Sequence, residues 1–253
     1  MKPPLIVANW KMHGGQADCA RLARQIARGL RQNSAEIEVV LAPPFTALNA
    51  VHRALRGSAL KLAAQNCHWE SQGAYTGEVS SMMVREQGCR YVIVGHSERR
   101  HVFFETDAMI GRKLAPIMAQ GMGVILCVGE TLDQRQSNQT ASVVRRQLQL
   151  ALKGLAKADI ANVEIAYEPV WAIGTGQNAT PKQVSQVHGK IRSWLVQRVG
   201  AAGKGTRILY GGSVKPENVA SLVAVDEING LLVGGASLKS ESFLPIVRAF
   251  SQK

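Results

Sequence analysis

Eight short apolar runs, recurring about every 32 residues as βα units do, set the tightest limit on what this 253-residue chain can fold into. They are Leu5–Ala8, Glu38–Ala42, Leu60–Ala64, Tyr91–Val94, Val124–Val128, Val163–Tyr167, Arg207–Tyr210 and Leu231–Val233. Most are continuously apolar rather than alternating, the pattern of strands buried on both faces in a parallel sheet covered by helices. Helical spacing fills the gaps over Asp18–Leu30, Ala108–Ala119, Ser142–Leu155, Pro181–Val199, Lys215–Val223 and Ser240–Phe250. In the first of these Leu22, Ile26 and Leu30 fall at steps of four, and Pro181 behind Thr180 has the form of a capped helix start. No Gly/Ser linker or low-complexity tract interrupts the alternation. It predicts one closed (β/α)₈ barrel, eight parallel strands ringed by helices, over residues 1–253. An open doubly wound sheet is the alternative, and eight unbroken repeats favour closure.

Composition narrows the function. Cys19, Cys67, Cys89 and Cys127 lie far apart with no CxxC pair, so zinc-ribbon and thioredoxin-like readings lack their spacing. No stretch approaches the roughly eighteen apolar residues of a membrane span, and the first apolar run is too short for a signal peptide. A reducing cytoplasm is the expected setting, with no membrane partner. Thirty Lys and Arg against 18 Asp and Glu give a net charge of +12. Such a balance suits nucleic acid or a field that draws in small anions. The basic residues are spread, however, and aromatics are only 5%, few for a stacking platform, so no nucleic-acid partner is expected.

In a barrel of this kind, sites form at the carboxyl ends of the strands. Asn9 and Lys11 follow the first run, Gly95-His96-Ser97-Glu98 the fourth and Glu168-Pro169 the sixth. Gly211-Gly212-Ser213 follows the seventh and Gly234-Gly235 the eighth. Glycines in such turns let the backbone approach a phosphate and aim N–H groups at its oxygens. Either pair alone would suffice only for a tight turn; together, after strands seven and eight, they favour phosphate. A carboxylate and an imidazole in one pocket suit proton abstraction beside a carbonyl, one taking the proton and the other handling the oxygen. Lys11 suits the oxyanion that develops. Gly174-Thr175-Gly176-Gln177-Asn178-Ala179 fits a dinucleotide fingerprint on paper, but Pro169, Val170 and Trp171 intervene after the strand and no acid follows at the required distance.

Five segments together carry a resemblance: Ala8-Asn9-Trp10-Lys11-Met12, Gly95–Arg100, Ala166–Gly176, Tyr210–Val214 and Leu232–Leu238. In content and order they are similar to the motifs of the triosephosphate isomerase family, over essentially the whole chain. The resemblance implies isomerisation of dihydroxyacetone phosphate and glyceraldehyde 3-phosphate in glycolysis and gluconeogenesis, with no metal or other cofactor. It makes Glu168 the general base and His96 a neutral electrophile. Asn9 and Lys11 line the substrate, supported by Ser97 and by Glu98, which pairs with Lys11. Gly174, Ser213, Gly234 and Gly235 hold the phosphate. A mobile lid is implied over Pro169, Val170, Trp171, Ala172, Ile173, Gly174, Thr175 and Gly176, with its apolar tip excluding water. Finally, the resemblance implies a homodimer in which the loop Gln72–Glu78 reaches the partner's site and Thr76 supports Asn9 and Lys11. Asn229 and Tyr75 stand where relatives commonly have Asp and Phe.

Other barrel enzymes acting on larger phosphates would keep the glycine turns without Asn9, Lys11, His96 and Glu168 together. A basic binding protein would not need Glu168.

Overall fold

The computed structural model describes residues 2–31, 37–173 and 179–252. Its strands are β1 Leu5–Asn9, β2 Glu38–Ala42, β3 Lys61–Ala64, β4 Tyr91–Val94, β5 Gly123–Val128, β6 Val163–Tyr167, β7 Ile208–Tyr210 and β8 Gly230–Val233. They pair in chain order, all parallel, and β8 returns to β1 with Leu5 opposite Gly230, so the sheet closes as expected. The ladder explains the unbroken apolar runs. Successive side chains point alternately into the barrel and out against the helices. Leu5, Val7, Val40, Ile93, Ile125 and Leu209 belong to an inner cluster, while Ile6, Val39, Leu41, Val92, Leu126 and Ile208 join the outer one. Both layers are apolar, so neither face of a strand has a polar register.

Helices stand where spacing predicts them over Gln16–Gly29, Asp107–Ala119, Pro181–Val199 and Ser240–Ala249, and Thr140–Ala151 stops four residues short of Leu155. Thr180 caps Pro181–Val199, its hydroxyl accepting from the Gln183 N–H while the Gln183 side chain accepts from the Thr180 N–H. The expected Lys215–Val223 helix is shorter. It begins at Val219, because Asn218 accepts the Lys215 N–H and donates to the Ser213 carbonyl, folding 215–218 into a turn. Short helices over Leu48–Ala54, Ser81–Glu86, Ser97–His101, Leu132–Gln136 and Lys157–Ile160 carry too few turns for periodicity to reveal them. Among the described residues no helix is long and apolar enough to cross a membrane.

The amino-terminal end of the barrel is closed by charge. Arg207, 4% exposed, gives one Nη to Glu38 Oε2 at 2.7 Å and the other to Glu164 Oε1 at 2.7 Å. Its guanidinium also donates to the Tyr91 hydroxyl and the Pro3 carbonyl, and Lys61 and Lys2 approach Glu38 and Glu164 from the rim. Burial pushes the Glu38 carboxyl up, but Lys61, Arg207 and Tyr91 together hold it at about 2. A group depressed in this way stabilises the fold above its unfolded value of 4.5 and ceases to do so as pH falls toward 2. Chemical denaturation at successively lower pH should therefore show stability declining across that window. Arg207→Met leaves Glu164 buried without its strongest partner and should cost about 3–5 kcal/mol of unfolding free energy. Since the change lies at the far end of the barrel, kcat should be nearly unchanged below the new melting point.

Candidate active site

The carboxyl ends of the strands supply the polar residues. Lys11 has a left-handed backbone, φ 50°, which a residue with a side chain adopts only when its surroundings impose it. Asn9 Oδ1 accepts the Lys11 N–H at 3.1 Å. Gln65, directly after β3, donates to the carbonyls of both Lys11 and Ala42 at 2.8 Å. Glu98 Oε1 lies 2.6 Å from Lys11 Nζ. The ammonium is thus held in place before any ligand arrives.

His96 caps the helix Ser97–His101, its Nδ1 accepting the Glu98 N–H at 3.3 Å. An Nδ1 that accepts carries no proton, so in the neutral ring the hydrogen sits on Nε2. That Nε2 lies 3.0 Å from Glu168 Oε1, while Glu168 Oε2 accepts the Ser97 N–H at 2.9 Å. Glu168 is 2% exposed at the end of β6. Burial pushes its carboxyl up; His96, the Ser97 N–H and the Cys127 thiol outweigh it and leave it below the usual carboxylate value. Burial likewise presses His96 down, and the adjacent Glu168 charge lifts it above its ordinary value.

Two glycines make room for Glu168. A Cβ on Gly129 would stand 1.7 Å from the Glu168 carbonyl oxygen, and one on Gly211 would stand 2.9 Å from Glu168 Cγ. Arg100 ties the neighbouring strand ends together, donating to the carbonyls of Gly95 at 2.8 Å and Cys127 at 2.9 Å.

One cavity of about 510 Å³ gathers Asn9, Lys11, His96 and Glu168 with Ser213, Gly234 and Gly235. Ile173, from the expected lid, lines it as well. Val170–Ala172 is a single 3₁₀ turn, and the Glu130 carboxylate, 0% exposed, accepts from Trp171 Nε1 at 3.0 Å and from the Tyr167 hydroxyl at 3.1 Å. Gly174, Thr175 and Gly176 lie outside the described residues. Thr76 is exposed and does not line this cavity; Ser97 and Glu98 act on it through Glu168 and Lys11.

A carboxylate, an imidazole with an Nε2 hydrogen, a fixed ammonium and two glycine turns around one small cavity can move a proton beside a carbonyl while gripping an anion. The family profile described as triosephosphate isomerase matches residues 4–250. The chain belongs to that family. A triosephosphate isomerase of Chlorobium phaeobacteroides is 49% identical over 251 residues, covering 98% of this chain and 99% of that one. Those of Geotalea uraniireducens and Pelobacter propionicus are 47% and 48% identical, each covering 98% of this chain and 99% and 98% of their own.

Sequence alone gives Gln65, Glu130 and Cys127 no role at the site. Gln65 and Glu130 stand just after β3 and β5, the positions that pointed to Asn9 and Glu168, so the same rule extended to those two strands finds them. Cys127, inside an apolar run, gives no such signal. Gly211→Ala should crowd Glu168 Cγ without disturbing the barrel. Steady-state kinetics should then show kcat lower by about 10- to 100-fold at nearly unchanged KM, the penalty of a base displaced by a fraction of an ångström. An unaltered kcat would mean that Gly211 does not set the carboxylate's position.

Proposed function

We propose that this chain, acting as one catalytic domain, interconverts dihydroxyacetone phosphate and D-glyceraldehyde 3-phosphate through an enediolate, in glycolysis and gluconeogenesis. The observation that carries this reading is the Glu168–His96 contact at 3.0 Å, set in the same cavity as Lys11 and the two glycine turns. Main-chain N–H groups of Ser213, Gly234 and Gly235, with Gly174, take the phosphate dianion. Glu168 turns from Ser97 to the substrate and removes a proton from C1. The C–H electron pair becomes the C1–C2 double bond, and the carbonyl π pair moves onto O2. His96 Nε2–H donates to that oxygen, protonates it and takes the O1 proton, while Lys11 stabilises the negative charge. Glu168 returns its proton to C2 and the aldehyde remains at C1. Every proton and electron is conserved, so the isomerisation consumes no co-reactant.

The turn Val170–Ala172 places Ile173 at the cavity, and closure of the lid there would exclude water from the enediolate. A homodimer accounts for the apolar side chains left in water in the loops that carry Met12, Tyr75 and Phe104 and on the short helix Ser81–Glu86: Met12 is 92% exposed, Phe104 77%, and Tyr75, Met82 and Met83 are also exposed. Monomeric proteins rarely leave so many uncovered. Thr76 then belongs to the partner's site, which agrees with its position away from its own cavity. The reaction is assigned to the cytoplasm.

The deciding assay adds dihydroxyacetone phosphate and follows glyceraldehyde 3-phosphate. Glu168→Asp withdraws the base by about 1 Å and should lower kcat on the order of 10²-fold. Wild-type protein without turnover would remove the assignment. Thr76→Arg should give a monomer by sedimentation with nearly all turnover lost, and a fully active monomer would refute the shared site.

A further inference from the structure

A cavity of about 880 Å³ lies not at the carboxyl ends of the strands but at the amino-terminal mouth of the barrel. Lys2, Arg56, Lys61 and Arg90 line it with exposed side chains, and Arg207 lies within it. The acidic residues among its lining are Glu38 and Glu164, and both are already neutralised: Glu38 by Arg207 and Lys61, Glu164 by Arg207 and Lys2. Arg56 and Arg90 are left over, with no hydrogen-bond or ion-pair partner for either guanidinium among the described residues. A second cavity of about 270 Å³ shares the wall 56–60 and adds Arg24, Arg28 and Arg31, with no acidic residue among the described residues that line it. Those three are likewise exposed and unpaired among the described residues.

Arginines at helical spacing ordinarily form a solvated face. Here three separate segments, the first helix with its end, the 56–60 loop and the entry of β4, contribute arginines to two joined concavities. Arg56 lines both. Concave walls focus the field of such charges, and the guanidinium fork matches phosphate oxygens two at a time. Leu55, Leu62 and Met118 provide an apolar wall for an uncharged body. Single-stranded nucleic acid would need a run of free aromatic faces. Tyr91 and His52 are the rings lining the larger cavity, too few for such a run, and Tyr91 has its hydroxyl tied to Glu38 and Arg207 with Lys61 over its ring.

We propose that this double cavity binds a small organic polyphosphate, with at least two phosphate groups spanning the Arg56 ridge, at a site separate from the triose phosphate site.

Calorimetric titration of the full chain with inorganic tripolyphosphate, in the presence of saturating triose phosphate, tests this. Arg56→Ala/Arg90→Ala and Arg24→Ala/Arg28→Ala remove exposed, unpaired side chains and should leave kcat and KM as in wild type. Tripolyphosphate should bind wild type far more tightly than orthophosphate does, and each double variant should weaken it by roughly tenfold or more. Affinity unchanged in both variants would overturn the proposal, as would displacement of tripolyphosphate by triose phosphate. A single-stranded oligonucleotide that bound more tightly than tripolyphosphate, and was lost in the same variants, would overturn it in favour of a nucleic-acid surface.

Discussion

Closure of the parallel ladder between β8 and β1 is the constraint from which the rest follows. Once the eighth strand pairs with the first, no edge remains and every strand must present one set of side chains to a narrow interior and the other to helices. Polar groups within the barrel are therefore concentrated at its two mouths. At the amino-terminal mouth Arg207 bonds Glu38, Glu164 and Tyr91; at the other, Glu168 pairs with His96 and Lys11 with Glu98. The same β6 carries Glu164 at one end and stops just before Glu168 at the other. One is paired by a permanent cation, the other by an imidazole and a backbone amide.

That difference in partners separates structural from chemical carboxylates. Glu164 faces Arg207, a group that stays charged at any working pH. Glu168 faces a titratable imidazole and a main-chain amide. The surrounding framework is correspondingly rigid: Asn9 and Gln65 impose the left-handed turn at Lys11, Arg100 joins the ends of β4 and β5, and glycines at 129 and 211 leave just enough space for the carboxylate. A cation and a carboxylate fixed in this way need little reorganisation when charge develops between them.

Much of this is legible in the sequence because two apolar layers leave an unmistakable trace. A strand buried on both faces reads as an unbroken apolar run, and the first polar residue after it marks the catalytic mouth; Asn9, His96 and Glu168 all lie there. What stays hidden has physical reasons. Glu164 and Arg207 are single charges in or beside apolar runs, and only the pairing of β6 with β7 brings together residues 43 apart. Cys127 reads as core because a thiol differs little from an alkyl group until a carboxylate is set against it. The helix expected from Lys215 fails because an asparagine side chain competes locally for backbone bonds, a contest that apolar spacing does not register. The homodimer proposed above would leave no mark in one chain beyond exposed apolar side chains.

The resting contact between Glu168 and His96 also explains how two groups can be tuned together. In the unliganded site each stabilises the charged form of the other, so the carboxylate is a weaker base and the imidazole a stronger one than either would be alone. In the proposed reaction the carboxylate leaves Ser97 and His96 for C1. It then loses what held its pKa down while retaining the burial that pushes it up, so its basicity rises as it reaches the proton to be taken. His96 loses the larger of the two charges that lift it; Glu98 stays, opposed by burial and Lys11, both of which favour the neutral ring. One side-chain movement would thus strengthen the base and keep the electrophile uncharged. Both changes depend on substrate occupying the space between them.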